Sequence, residues 1–121
     1  MYELMVETDF AAAHSLREYG GNCERLHGHN WRVQVMLRAA RLDRLGMVMD
    51  FREVKKHLGE IMGLLDHRHL NEVSPFSRQN PTTENIARFI CTKLSKALPK
   101  RVSVSKVTVW ESDRCAAAFL P

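Results

Sequence analysis

The stretch CERLHGHNW, residues 23 to 31, sets a cysteine four residues ahead of the first of two histidines that flank a glycine. In a β-strand, side chains i and i+2 point the same way. His27 and His29 would therefore project together, with Gly28 facing away. A further histidine, His14, ends the segment YELMVETDFAAAH, in which Tyr2, Leu4 and Val6 recur at every second residue. If the two segments form an antiparallel hairpin across residues 15 to 26, His14 returns beside the start of the second strand and three imidazoles converge. Three neutral nitrogen donors suit Zn²⁺ and leave a fourth position open, the pattern of a site that polarises water or a substrate oxygen. Spacing alone leaves the plainer alternative open, since histidines also occupy ordinary surface and core positions.

Other residues could supply proton chemistry. Beside a dication the Cys23 thiol would lose its proton readily and serve as a base; otherwise it is an inert small apolar group. In LLDHRHLN, Asp66 and His67 form a carboxylate–imidazole neighbour pair able to relay a proton, with the acid setting the imidazole's tautomer. The same neighbours also occur on solvated surfaces. Glu111, at the end of VTVWES, is either the first residue of a turn or a carboxylate placed to accept two hydrogen bonds from an amino-pyrimidinone edge. His57 and His69 are read as surface residues, and Cys91 and Cys115 as structural.

The elements that must carry these groups follow from hydrophobic period. After the first strand comes a loop marked by Gly20, Gly21 and Asn22. A second strand, HNWRVQVMLRA, puts Trp31, Val33, Val35 and Leu37 on one face. Beyond a turn at residues 42–46 the period becomes helical, with Phe51, Val54, Leu58, Ile61, Met62 and Leu65 on one stripe behind an Asp50 cap and Glu53. A polar loop leads to PTTEN, the entry to a second helix with Ile86, Phe89, Ile90, Leu94, Ala97 and Leu98 as its stripe and Pro99 as its stop. VSVSKVTVWES and CAAAFL close the chain as two strands. The order is ββααββ. It predicts an α+β fold, a four-stranded antiparallel sheet with both helices on one face. The opposite face is not wholly polar, which points to oligomerisation.

Size and charge fit this reading. The 121 residues make one domain, 1–121, with apolar and charged fractions of 45% and 26% that are ordinary for a globular protein. No run of about 18 apolar residues is present, so no membrane helix is expected. MYELMVETDF lacks a basic-then-apolar leader, and three cysteines without a CxxC pair fit reduced thiols; together they predict a cytoplasmic protein. The net charge of +4 fits a solvated, mildly basic surface first and an anionic partner such as a phosphorylated small molecule second, while the absence of a dense basic cluster argues against nucleic acid.

FAAAHSL, CERLHGHNW, GMVMDF, LDHRHLN, PTTEN and VWES follow one another over nearly the whole chain. In this the sequence resembles the 6-pyruvoyl-tetrahydropterin synthase family. Within it, the compact CERLHGH spacing is most similar to the 6-carboxy-5,6,7,8-tetrahydropterin synthases of queuosine biosynthesis. The resemblance implies the tunnelling fold, or T-fold, assembled as trimers or hexamers with active sites between subunits. It implies zinc on His14, His27 and His29, Cys23 as proton acceptor and Asp66–His67 as the relay. It also implies Glu111 as the anchor of the pterin ring, with Thr82 and Thr83 lining its pocket. The implied substrate is 7,8-dihydroneopterin triphosphate, whose triphosphate would meet basic residues such as Arg25. A pyruvoyl-forming synthase, and a non-catalytic zinc module tying a hairpin, are the alternative readings.

Overall fold

A computed structural model describes residues 1–20 and 24–121 of the protein. Strands β1 (Tyr2–His14) and β2 (His27–Ala39) pair antiparallel along their full lengths, from Tyr2 opposite Ala39 to His14 opposite His27. Their alternation decides the faces. Val6, Phe10, Ala12 and His14 are buried on one side of β1, and Trp31, Val33, Val35, Leu37 and Ala39 on the same side of β2.

Helix α1 (Phe51–Leu65) starts where the Asp50 carboxylate accepts the Arg52 N–H at 2.8 Å. It buries Val54, Leu58, Ile61, Met62 and Leu65. Phe51, expected in that stripe, sits in the first turn and remains 49% exposed. A two-residue strand, β3 (Arg68–His69), follows and pairs parallel with β1 at Ala12 and Ala13. Helix α2 (Thr83–Ala97) is capped by Thr82, whose hydroxyl accepts the Asn85 N–H at 3.1 Å. Its buried stripe runs through Ile86, Ala87, Phe89, Ile90, Cys91 and Leu94, whereas Ala97 in the last turn is exposed and Leu98, past its end, is half-buried.

Strand β4 (Ser103–Ser112) pairs antiparallel with β2, and β5 (Cys115–Phe119) pairs antiparallel with β4. Met36 faces Lys106 while Leu37 faces Val104, so Ser105 is an extra residue in β4. This bulge corrects a parity problem. Val104 and Val107 are three residues apart and would otherwise point to opposite faces, yet both are buried. The sheet order is β3-β1-β2-β4-β5, and α1 and α2 pack against one face of it in a single apolar core.

The expected ββααββ order is present, but the sheet has five strands rather than four, and one pairing is parallel. A two-residue strand in a polar loop is too short to display a period, so only its tertiary partner reveals it. Cys115, expected to be structural, is exposed on the edge strand. On the uncovered face, Arg38 pairs with Glu3 at 3.0 Å, the Arg32 guanidinium lies 4.2 Å over the Trp110 ring, and Met5 is 47% exposed. Among the described residues, no helix is long and apolar enough to cross a membrane.

Asp66 joins the helical layer to the sheet. Its N–H closes α1 on the Met62 carbonyl at 2.7 Å, and its carboxylate accepts the Ala11 N–H at 2.9 Å. The His67 N–H then donates to the Ala11 carbonyl at 2.6 Å, which starts β3 along the outer edge of β1. The Ala11 N–H, and after it the contact with His67, hold the Asp66 carboxyl below the usual carboxylate range.

Two outcomes follow from this packing. Leu58→Ala, at a fully buried position facing the sheet, should lower unfolding stability by about 2–5 kcal/mol in urea titration. A carboxyl whose folded pKa is depressed stabilises the fold above its unfolded pKa, and that stability is lost as pH falls through the folded value. The stability gap between wild type and Asp66→Asn should therefore be full above about pH 5 and close on acidification below about pH 4, as read by urea midpoints.

Candidate metal centre

The β1–β2 register brings the three histidines together at one end of the sheet. His14 stands directly opposite His27, and His29 lies opposite Ala12, on the same face two residues on. Their rings meet edge to face, with centroids 4.7 to 5.1 Å apart. Trp31, the next residue on that face, is fully buried and edge-on to His14 at 4.8 Å and to His29 at 5.0 Å. Its indole N–H donates to the Ala12 carbonyl at 3.1 Å, which locks it as an apolar floor beneath the imidazoles.

Tautomers follow from the hydrogen bonds. His14 Nδ1 lies 2.8 Å from the Pro81 carbonyl, and His27 Nδ1 lies 2.8 Å from the Arg25 carbonyl. A carbonyl can only accept, so each Nδ1 carries the proton and donates. Each neutral ring then turns an Nε2 lone pair inward, and these two nitrogens are 3.1 Å apart. Two lone pairs at that distance repel unless a proton or a cation lies between them. For a tetrahedral ion with Zn–N bonds of about 2.0–2.1 Å, two ligand nitrogens stand roughly 3.3 Å apart. The separation thus suits a shared metal.

His29 Nε2 is buried and lacks an aligned hydrogen-bond partner, although the Glu111 carboxylate approaches it to 3.0 Å. Burial lowers the His29 pKa. Glu111 opposes that effect, and the neighbouring His14 and His27 add to it. Burial thus favours the free base, the form that ligates. One donor atom from each of His14, His27, His29 and Glu111 lies within 4.8 Å of the others, so the four could hold a metal ion. Glu111 is steadied from its other oxygen by the Thr83 hydroxyl, which donates at 3.2 Å. Thr82 spends its hydroxyl on capping α2, so of the two threonines only Thr83 faces this carboxylate.

The structure does not bring every expected residue to this point. Asp66 and His67 are paired, with Nδ1 to Oδ2 at 2.9 Å, but they are not part of the histidine group. They sit at Ala11, three residues back along β1 from His14, and the His67 side chain is 82% exposed. His67 has a φ of 56°, in the left-handed region that costs a β-carbon residue energy and tends to mark functional positions. The ring projects beside an open depression of about 530 Å³ that Ala11, Ala13, Gly28, His29, Asn30 and His69 also line. His69, read as surface, is half-buried against Glu72 at 3.4 Å. Cys23 lies outside the described residues. Sequence reasoning passed over Trp31 as a site residue and over Pro81 as a hydrogen-bond acceptor. The position of Trp31, two residues after His29 on one strand face, was the available signal for the first. A backbone carbonyl leaves no signal in sequence.

A protein-family model described as 6-pyruvoyl tetrahydropterin synthase matches residues 3–121. The chain is 34% identical over 110 residues to the dihydroneopterin monophosphate aldolase of Pyrococcus furiosus, covering 91% of this chain and 90% of that one. It is 40% identical over 102 residues to the 6-carboxy-5,6,7,8-tetrahydropterin synthase of a Synechocystis strain, covering 80% and 78%. The solved structure of Caenorhabditis elegans 6-pyruvoyl tetrahydropterin synthase superposes with a TM-score of 0.86 at 26% identity, over 99% of this chain and 95% of that one. Its strand frame is the T-fold expected from the motifs. A match across nearly the whole chain, on the same strands that gather the three imidazoles, places this protein in the 6-pyruvoyl tetrahydropterin synthase family.

Proposed function

We propose that the protein is a zinc-dependent 6-carboxy-5,6,7,8-tetrahydropterin synthase. It would convert 7,8-dihydroneopterin triphosphate and one water, which supplies the second carboxyl oxygen, to 6-carboxytetrahydropterin, acetaldehyde and triphosphate, as a step toward queuosine. The observation that carries the metal half of this reading is the pair of inward Nε2 lone pairs of His14 and His27, 3.1 Å apart. The 40% identity to a carboxy-forming relative and the short CERLHGH spacing support the choice of product.

His14, His27 and His29 would hold the ion. When bound, zinc supplies a Lewis acid that acidifies the C–H bonds next to side-chain hydroxyls. Cys23, four residues before His27, would remove a proton. His67, with its Nδ1 fixed on the Asp66 carboxylate, presents Nε2 outward to return or receive one. Glu111 would accept the N–H and NH₂ of the pyrimidinone edge, held in register by Thr83. Because His67 is largely exposed and is not among the four donors grouped around His14, we assign the complete site to the junction of two copies in a trimer or hexamer. The uncovered sheet face and the β5 edge support that assembly.

Two other readings have an observation behind them. The family model and the nematode structure carry the pyruvoyl-forming name. Glu111, close enough to be a fourth protein ligand, would suit a non-catalytic zinc module.

Purified protein given 7,8-dihydroneopterin triphosphate should release acetaldehyde and triphosphate, identified by mass; a 6-pyruvoyl product without acetaldehyde would sink the carboxy-forming assignment. Cys23→Ala should keep its zinc and lose about 100-fold or more in turnover, whereas His27→Ala should lose metal and activity together. Glu111→Gln should retain metal in elemental assay and raise KM. Loss of metal in that variant would instead favour the fourth-ligand reading.

A further inference from the structure

The Pro81 carbonyl that fixes His14 belongs to the loop between β3 and α2, so something must hold that loop against the end of β1. Two asparagine side chains do so. Asn71 accepts the Ser15 N–H at 2.9 Å and donates to the Ser15 carbonyl at 2.7 Å. Asn80 does the same for Arg17, accepting at 2.8 Å and donating at 3.0 Å. Ser15 and Arg17 are alternate residues just past the end of β1, and each amide gives the backbone what a neighbouring strand would give. The Arg17 guanidinium returns to the same loop. It donates to the carbonyls of Asn71 at 3.1 Å, Phe76 at 2.7 Å and Gln79 at 3.3 Å.

The placement of the two amides is what matters. Asn71 pins the residue after His14, and Asn80 is the residue before Pro81. The 2.8 Å contact between His14 Nδ1 and the Pro81 carbonyl is therefore anchored one residue away on each side. An imidazole whose Nδ1–H has a fixed acceptor has its tautomer and ring angle set, and removal of such outer partners typically costs about 10–100-fold in metal affinity.

We propose that Asn71, Asn80 and Arg17 are positioning residues for the metal centre, acting through the Pro81 carbonyl on His14 alone. The proposal rests on the metal reading above. None of the three faces the ion. They hold the acceptor that orients one of its ligands.

The test is a competition titration of Zn²⁺ and Co²⁺ against a chromophoric chelator, beside thermal melting of the chelator-stripped proteins. Asn80→Ala should bind metal about 10-fold more weakly and shift the cobalt absorption bands. Asn80→Asp keeps the acceptor for the Arg17 N–H but loses the donor to its carbonyl, and should fall between wild type and Asn80→Ala; it also serves should Asn80→Ala fail to fold. In a His14→Ala background, titrated at raised metal concentration so that the weaker site left on His27, His29 and Glu111 is read, either Asn80 change should move affinity by less than about twofold, because the ligand it positions is gone. Unchanged affinity in a folded variant whose apo melting point drops would mean a purely structural clamp and overturn the inference. So would an equal loss of affinity in the His14→Ala background. If wild type itself binds neither metal, the metal reading fails and this inference with it.

Discussion

The register of β1 against β2 is the constraint on which the remainder rests. Side chains alternate with a period of two, so a slip of one residue would move every side chain of β1 to the other face. The same slip would expose Val6 and Phe10 and carry His14 away from His27. Core formation and assembly of the imidazole group are thus one event. The apolar run of Trp31, Val33, Val35 and Leu37, all fully buried, holds His27 and His29 on the inner face with no further instruction.

The site itself is a local departure from what packing favours. Two Nε2 lone pairs face each other at 3.1 Å and a third ring nitrogen is buried without an aligned partner. An apolar residue at any of these places would relieve the conflict. The surrounding structure keeps it by fixing the rings from behind, with backbone carbonyls at Pro81 and Arg25 and an indole beneath. A shared cation, or a proton between the two nitrogens, would satisfy groups arranged in this way. His67, held at a positive φ by bonds to Asp66 and Ala11, is a second departure on the other side of the strand edge. It stands outside the group of four donors, although His29 and His67 line one depression.

Much of this was legible in the residues. Alternation disclosed β1 and β2, the helical period disclosed α1 and α2, and Asp50 and the PTTEN segment marked where the helices begin. Hairpin logic was enough to bring His14 to the HGH pair, because an antiparallel return across a loop leaves little choice of neighbour. What escaped had physical reasons. β3 has two residues and no period. The Ser105 bulge shifts parity without any glycine to announce it. Phe51 and Ala97 fit the apolar stripes but lie in end turns that the sheet does not cover.

The chain alone therefore determined which side chains share a face, because face follows from local period, and it determined the donor types available, because these are residue identities. Tertiary structure decided the rest. It chose the Pro81 carbonyl as the partner of His14, set Glu111 beside His29 and left His67 exposed. These depend on where segments up to 82 residues apart along the chain (His29 and Glu111) come to lie. Such distances are closed by the β2–β4 pairing and by the loops that dock on the end of β1, and no local pattern encodes them.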